Sequence, residues 1–120
     1  MRAIAFFLLF ISTLAFADPT FSPWGPSYLV VNSTVQVTTL DGSQPTSYRI
    51  INLASANQCF SWGTTSASVP TPTAPTAGNP ATRILCMLPL TAETFHGLPP
   101  NGYFQASAAT GFYVTPGEGF

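Results

Sequence analysis

The segment TVQVTTL, at residues 34–40, alternates β-branched and polar residues, and the turn-forming pair Asp41-Gly42 follows it directly. Alternate residues of a strand point to opposite faces, so Val35 and Val37 share one face while polar side chains share the other. A strand with one buried face and one wet face shows this pattern. The Asp-Gly pair tolerates positive φ, which predicts a chain reversal into a second strand at 48–53 and therefore a hairpin.

Similar short segments recur along the chain between glycine, proline and asparagine residues, and helical periodicity is hard to find after residue 17. The predicted strands span residues 28–31, 34–40, 48–53, 58–63, 66–69, 82–88, 93–96, 103–108 and 112–115. Short strands at a spacing of roughly 8–12 residues indicate a sandwich or a barrel. We therefore predict an all-β fold, a single antiparallel β-sandwich or jelly-roll-like barrel over residues 28–120.

Two of these segments carry the candidate core. In QCFSWG, residues 58–63, Phe60 and Trp62 share a face, and aromatic side chains contribute strongly through the area that they bury. We predict that both are core anchors rather than a ligand-binding platform. The segment TRILCML, residues 82–88, is mostly apolar on both faces, which predicts a central strand that is covered on both sides.

The first residues, MRAIAFFLLFISTLAFA at 1–17, have the features of a secretory signal peptide. Arg2 supplies the positive start, an apolar run follows, and small residues precede the expected cleavage after Ala17. The alternative is a retained apolar anchor, but the run is shorter than the ~20 residues that span a bilayer. Cleavage predicts a secreted or periplasmic protein, and a membrane contact is expected only if the segment is retained.

Residues 18–27 are predicted to form an extended N-terminal arm, because they are rich in proline and aromatic residues and lack a helical pattern. The arm either lies across the sheet or reaches a neighbouring subunit. Phe21 and Trp24 are candidate partner contacts, since large rings supply contact area at little entropic cost. The alternative for Trp24 is that it plugs one end of its own core.

Residues 70–80, PTPTAPTAGNP, are not expected to form a central strand, because proline lacks a backbone N–H and favours polyproline geometry. The segment is predicted to be a projecting Pro/Thr-rich loop between strands. Three interpretations stay open: a mobile surface loop, an arm that contacts a partner through Pro72 and Pro75, or a glycosylated segment.

Charged residues make up only 6 % of the chain, lysine is absent, and the net charge is −1 at pH 7. Binding to nucleic acid is excluded, because neutralising several phosphates takes a cluster of Lys and Arg. Disorder is also excluded, because 46 % of the residues are hydrophobic. A surface with so few charges suits a protein that neighbouring subunits largely cover.

Cys59 and Cys86 are the two cysteines of the chain, and each lies in a predicted strand. We predict that they pair in a disulfide if the compartment is oxidising, and the alternative is two separate buried thiols. Zinc binding is not expected, because one histidine and two distant cysteines lack the paired spacing of a zinc site.

The sequence offers little for catalysis. His96 is the single histidine, and Glu93 lies three residues before it, but residues three apart on a strand point to opposite faces. Nucleophile-elbow, P-loop, dinucleotide-binding and EF-hand motifs are absent. We predict a protein that is not an enzyme and uses no cofactor.

Several segments resemble a known family. They are RIINL at 49–53, CFSWG at 59–63, CMLPL at 86–90, ETF at 93–95 and the tail GFYVTPGEGF at 111–120. They are similar to the small β-sandwich virion structural proteins of tailed bacteriophages, in which R-I-x-N, F-x-x-G, E-x-F and T-P-G-E-G follow in this order. The resemblance covers most of residues 34–120. The N-terminal segment and the proline-rich insertion depart from the pattern.

The resemblance implies a capsid decoration, cement or tail-associated role in the virion, with no cofactor and no catalysis. The implied partners are capsid or tail proteins, and the chain would be a homo-oligomer or bound to a lattice. Terminal Phe120, which follows a Gly-Glu-Gly segment, is a candidate contact with an adjacent subunit.

The alternative function is an exported adhesion or carbohydrate-binding module, in which Trp24, Trp62 or Tyr103 would stack on sugar faces. The two hypotheses require different surfaces. A sugar site needs exposed aromatic side chains beside polar groups in one concavity, whereas binding to a lattice needs a broad apolar patch.

Overall fold

The computed structural model describes residues 21–118, which form nine strands and a short 3-10 turn. The strands are β1 (Ser22–Pro23), β2 (Tyr28–Val30), β3 (Val35–Gln36), β4 (Ser47–Asn52), β5 (Gln58–Gly63), β6 (Ile84–Met87), β7 (Ala92–Phe95), β8 (Tyr103–Ala106) and β9 (Phe112–Glu118). The segment 1–17, with its predicted signal peptide or anchor, and Phe120 lie outside the described residues.

The strands form two antiparallel sheets. The first sheet has the order β1-β9-β4-β7, with β2 also paired to β9, and the second has the order β3-β8-β5-β6. The predicted all-β class is thereby confirmed, and the arrangement is consistent with a β-sandwich. No helix within residues 21–118 has the length and apolar character needed to cross a membrane.

The core lies between the two sheets and is rich in aromatic rings. Phe60 is fully buried, and its ring lies 5.4 Å from the ring centres of both Phe95 and Phe112 in edge-on geometry. Such pairs add about 0.5–1.5 kcal/mol to the energy of area burial. Trp62 is half-buried and packs against the same cluster. The prediction that Phe60 and Trp62 are core anchors is confirmed.

The predicted hairpin at Asp41-Gly42 is wrong. β3 pairs with β8 in the second sheet, while β4 pairs with β7 and β9 in the first, so residues 37–46 cross between sheets. Val37 is buried and its N–H donates to the carbonyl of Gly102, which commits this segment to the second sheet. Asp41 accepts the backbone N–H of Ser43 and closes a local turn instead of a hairpin.

The predicted central strand at 82–88 is also wrong in its position. Within residues 21–118, β6 pairs with β5 alone and forms an edge of the second sheet. Leu85 is 39 % exposed and Leu88 is 64 % exposed. The apolar pattern has a different cause, because Cys86 lies opposite Cys59 and forms a disulfide with it while Met87 enters the core.

The strand predicted at 66–69 is a 3-10 turn over Ser66–Ser68. Its geometry is local, because the Ser68 hydroxyl donates to the carbonyl of Thr65 and accepts the Thr65 N–H. Gly63 permits this close approach, since a Cβ at that position would lie 2.5 Å from the Ser68 Oγ. Local side-chain to backbone bonds therefore replace the ladder that a strand would need.

The Pro/Thr-rich loop 70–80 projects along only part of its length. Ser61, on the outer face of the second sheet, donates from its hydroxyl to the Pro70 carbonyl at 2.6 Å. Pro72 is buried, whereas residues 73–80 are exposed. The start of the loop therefore covers the outer face of the second sheet at Ser61, which is fully buried.

The N-terminal arm joins the first sheet. β1 pairs with the end of β9, and the N–H of Trp24 donates to the carbonyl of Pro116 at 2.9 Å. Gly117 is needed for this contact, since a Cβ there would lie 2.5 Å from the Phe21 ring and would also meet the Ser22 carbonyl. The arm thus lies along β9 as an added edge.

Candidate functional site

The outer face of the first sheet carries a row of apolar side chains. Residues that are paired directly in an antiparallel sheet point to the same face. Tyr113 on β9 pairs with Leu29 on one side and Ile51 on the other, and Ile51 pairs with Ala92. On β2, β4 and β9 the residues next to this row include the buried Val30, Ile50 and Val114, so the row itself points away from the core.

Leu53 extends this row towards the end of β4. It lies two residues beyond Ile51, and its N–H donates to the carbonyl of Gly111, so alternation places it on the same outer side. We name the apolar face by its five residues, which are Leu29, Ile51, Leu53, Ala92 and Tyr113. Leu29 is 51 % exposed and Tyr113 is 44 % exposed.

A polar row borders the apolar face. Arg49 lies between Thr94 on β7 and Thr115 on β9. The Thr115 hydroxyl is hydrogen-bonded to that of Ser27 at 2.7 Å. Arg49 is exposed and is the one charged side chain in these two rows. The surface is therefore apolar at one end, polar at the other and almost free of charge.

The outer faces of the two sheets differ in how far the rest of the chain covers them. The proline-rich loop lies over the second sheet at Ser61, so that face is partly closed. The first sheet has no such cover within residues 21–118 at Leu29 and Tyr113, which are among the exposed large hydrophobic residues. Large exposed apolar patches mark interaction sites in monomeric proteins. The apolar face is therefore the candidate interaction surface.

A cleft lies at the opposite end of β9. Its volume is about 540 Å³, and its lining consists of Pro23, Trp24, Gly25, Pro26, Leu40, Asp41 and Ser43. Trp24 is 37 % exposed and Leu40 is 84 % exposed. The hydroxyl and the backbone N–H of Ser43 both donate to Asp41, and these bonds hold the pKa of that carboxyl below its ordinary value.

A smaller open groove surrounds Trp62. It has a volume of about 410 Å³ and is lined in part by Thr64, Arg83 and Pro99. The N–H of Trp62 donates to the carbonyl of Arg83, which adopts a positive φ of 59°. Because Trp62 also packs against the core, its ring offers less free surface than that of Trp24.

His96 does not pair with Glu93. The Nδ1 of His96 is hydrogen-bonded to the Ser47 hydroxyl at 2.8 Å, while Glu93 lies on β7 opposite Ile50. Within residues 21–118, no group of three histidine, cysteine or carboxylate side chains is placed to hold a metal ion. The described residues therefore do not bring these two groups together as an acid–base pair.

The predicted partner contacts fall in different environments. Phe21 is half-buried against Gly117, and Trp24 is partly exposed in the cleft. Pro72 is buried, whereas Pro75 is exposed. Cys59 and Cys86 are joined in a disulfide.

The residues of the apolar face were not predicted from the sequence. The sequence shows that Leu29 and Tyr113 each alternate with apolar residues along their strands. Their alignment across the sheet, however, depends on the register between β2 and β9. Leu40 and Ser43 were not predicted as neighbours of Trp24 either, because this contact joins segments that are distant along the chain.

Comparison of the chain with protein-family models, with curated proteins and with solved structures finds no match.

Proposed function

We propose that this protein is a non-enzymatic structural protein of a bacteriophage virion that binds a capsid or tail assembly through the apolar face. The observation that carries the proposal is the exposed apolar row across four strands of one sheet, with Tyr113 near its centre. A broad uncharged apolar surface is the kind of surface that binding to a lattice requires.

The composition of the face supports a contact with protein. Interface cores are depleted in charge and enriched in aromatic residues, and tyrosine is among the residues that dominate binding energy. Burying a leucine or isoleucine side chain fully contributes roughly 1.5–3 kcal/mol. Several such side chains give each copy a moderate affinity, and an array of neighbouring copies would raise the occupancy through multivalency.

Three of the five segments that carry the family resemblance lie on the strands of this face, whereas CFSWG and CMLPL lie at β5 and β6 of the second sheet. RIINL, residues 49–53, forms most of β4 and contributes Ile51 and Leu53. ETF, residues 93–95, lies on β7, and the T-P-G-E part of the tail lies on β9. The resemblance therefore extends over both sheets, and part of it lies on the sheet that carries the apolar face. In the proposal, neighbouring copies or capsid or tail proteins cover this sheet.

The test compares particles that carry wild-type protein with particles that carry the double variant Leu29→Ser and Tyr113→Ser. Quantitative mass spectrometry of gradient-purified particles measures the copy number. We expect occupancy to fall at least about tenfold, since each tenfold corresponds to about 1.4 kcal/mol and two large apolar contacts are removed.

Leu40→Ser is the matched control, because Leu40 is 84 % exposed and lies outside the apolar face. It should keep wild-type occupancy, and circular dichroism should show that all variants remain folded. Wild-type occupancy of the double variant would overturn the proposed surface. Absence of the wild-type protein from purified particles would overturn the proposed function as a whole.

A further inference from the structure

The cleft between the N-terminal arm and the Asp41 turn combines an aromatic ring, aliphatic side chains and an ionised carboxylate. We propose that this cleft binds a neutral saccharide, with Trp24 contacting the apolar side of the sugar ring and Asp41 accepting hydrogen bonds from its hydroxyl groups. This site lies beyond the proposed structural function, because it is formed by different residues at the other end of β9.

The cleft is held in shape by backbone contacts. The N–H of Trp24 donates to the carbonyl of Pro116 at 2.9 Å, and the N–H of Leu40 donates to the carbonyl of Trp24 at 3.4 Å. Gly25 brings the two walls together, because a Cβ there would lie 2.9 Å from the Thr38 carbonyl oxygen. Sites that are already formed before binding lose less entropy when a ligand enters.

The carboxylate is oriented by its own turn. Asp41 Oδ1 accepts the Ser43 N–H at 3.1 Å and the Ser43 hydroxyl at 2.5 Å. Thr39 Oγ1 donates to the carbonyl of Ser43 at 2.8 Å, which secures the turn from its other side. Asp41 is exposed, so its carboxylate is accessible to a ligand. It can therefore accept hydrogen bonds from hydroxyl groups.

The lining favours a saccharide over other small ligands. A pyranose presents C–H groups on one side and hydroxyl donors at its edge, which matches an exposed indole and an aliphatic wall beside a carboxylate. Pro23, Pro26 and Leu40 provide that wall. The volume of about 540 Å³ falls within the roughly 300–1,000 Å³ typical of small-molecule sites.

The charge of the site narrows the class of sugar. Asp41 is the one charged residue in the lining, and its negative charge disfavours uronic acids and other acidic sugars. An ammonium ligand is the main chemical competitor, because cations bind aromatic faces. Protein sites that bind ammonium groups generally surround the cation with several aromatic rings, whereas Trp24 is the one aromatic residue in this lining. A neutral sugar therefore fits the lining better.

The test uses the full chain and a panel of defined probes. The probes are the methyl pyranosides of glucose, galactose, mannose and N-acetylglucosamine, together with cellobiose, maltose and lactose. We expect at least one probe to shift the indole Nε1–H resonance of Trp24 in a saturable manner. Isothermal titration calorimetry measures the affinity of each variant, because Trp24→Ala lacks the indole reporter, and Trp24→Ala and Asp41→Asn should each weaken that binding by about tenfold. Tyr113→Ala, on the apolar face, should leave the affinity unchanged.

Asp41→Asn keeps the proposal testable if Trp24→Ala fails to fold, because Asp41 is exposed and asparagine preserves its shape and the acceptor for Ser43. Absence of binding across the panel at millimolar concentrations would overturn the inference. Saturable binding of tetramethylammonium with no sugar binding would overturn it in favour of a cation site. Sugar binding that is unchanged in both Trp24→Ala and Asp41→Asn would overturn the assignment to this cleft.

Discussion

The side-chain amide of Gln58 donates a hydrogen bond to Asn52 Oδ1 at 2.8 Å, and this contact links the two sheets. Gln58 also donates to the carbonyl of Gly111 and accepts its N–H, at 2.8 and 3.0 Å. Asn52 and Gln58 are both buried. A buried network of this kind stabilises a single packing of the sheets when all of its members are paired.

Substitution of Asn52 is expected to lower the stability of the fold more than substitution of most other polar residues. Its Nδ2 donates to the carbonyls of Met87 and Leu88, so Asn52→Ala would remove the donor to both carbonyls and the Oδ1 acceptor that Gln58 uses across the sheets. We expect the free energy of unfolding to fall by about 3 kcal/mol. Urea denaturation measures this change, with Asn79→Ala in the exposed loop as the control. A loss below about 1 kcal/mol would contradict the proposed linking role.

Tyr48 provides a second test of the interior. Its hydroxyl donates to the carbonyl of Pro99 at 2.6 Å and accepts the N–H of Gly102 at 3.3 Å. Tyr48→Phe should lower the free energy of unfolding by about 1.5 kcal/mol, because both backbone groups lose their partner. Tyr113→Phe removes an exposed hydroxyl and should change stability by less than about 0.5 kcal/mol. Equal losses in the two variants would contradict this expectation.

Burial raises the pKa of Tyr48, and hydrogen bonds from the backbone oppose this shift only in part. Because the pKa of Tyr48 is higher in the folded state than in the unfolded state, the stabilising contribution of its neutral hydroxyl is complete below about pH 10. This contribution is lost as the pH rises through the folded-state pKa. The stability difference between wild type and Tyr48→Phe should therefore shrink at alkaline pH. Urea denaturation from pH 8 to pH 11 tests this, and a constant difference would contradict the prediction.

The disulfide between Cys59 and Cys86 spans a sequence separation of 27 residues. In the chain-entropy description, closing a loop of this length stabilises the fold by about 3.5 kcal/mol. Reduction with a phosphine should lower the urea midpoint, and Cys86 is exposed, which gives the reductant access. The double variant Cys59→Ala and Cys86→Ala should be less stable and insensitive to reductant. An unchanged midpoint of the wild type after complete reduction would refute the prediction.

The pKa of Asp41 should lie below its ordinary value, because the Ser43 hydroxyl and N–H favour the charged form of the carboxyl. Because the pKa of Asp41 is lower in the folded state than in the unfolded state, the ionised carboxylate stabilises the turn above about pH 4. This stabilisation is lost as the pH falls through the folded-state pKa of Asp41. Ser43→Ala should move the pKa of Asp41 up towards the ordinary range. An NMR titration of the Asp41 carboxyl carbon measures both proteins, and identical titration curves would contradict the assignment.

Sequence patterns located most strands but fewer of their partners. Alternation in QCFSWG identified β5 with its correct bounds and placed Phe60 in the core, because the direction of a side chain on a strand depends only on local geometry. The same reasoning failed for TRILCML. Its apolar side chains reflect a disulfide and a contact with the core at a sheet edge, and these depend on the distant strand β5.

The candidate surfaces were less accessible to sequence reasoning than the core. Trp24 stood out by its residue type, but the residues that complete its cleft come from the segment after β3. The sequence predicts that Asp41 belongs to a hairpin turn. In the structure it lies beside the N-terminal arm instead, because residues 37–46 cross from the second sheet to the first. The apolar face was not anticipated, because each of its members is unremarkable alone.

The amino-acid sequence alone established the all-β class, the low charge and the approximate strand positions, since alternation and turn residues act over a few neighbouring residues. The tertiary structure decided which strands pair, which strand forms an edge and which outer face stays open. The physical reason is that pairing and burial join residues far apart in the chain. Ile50 pairs with Val114, for example, and this register also aligns the apolar face.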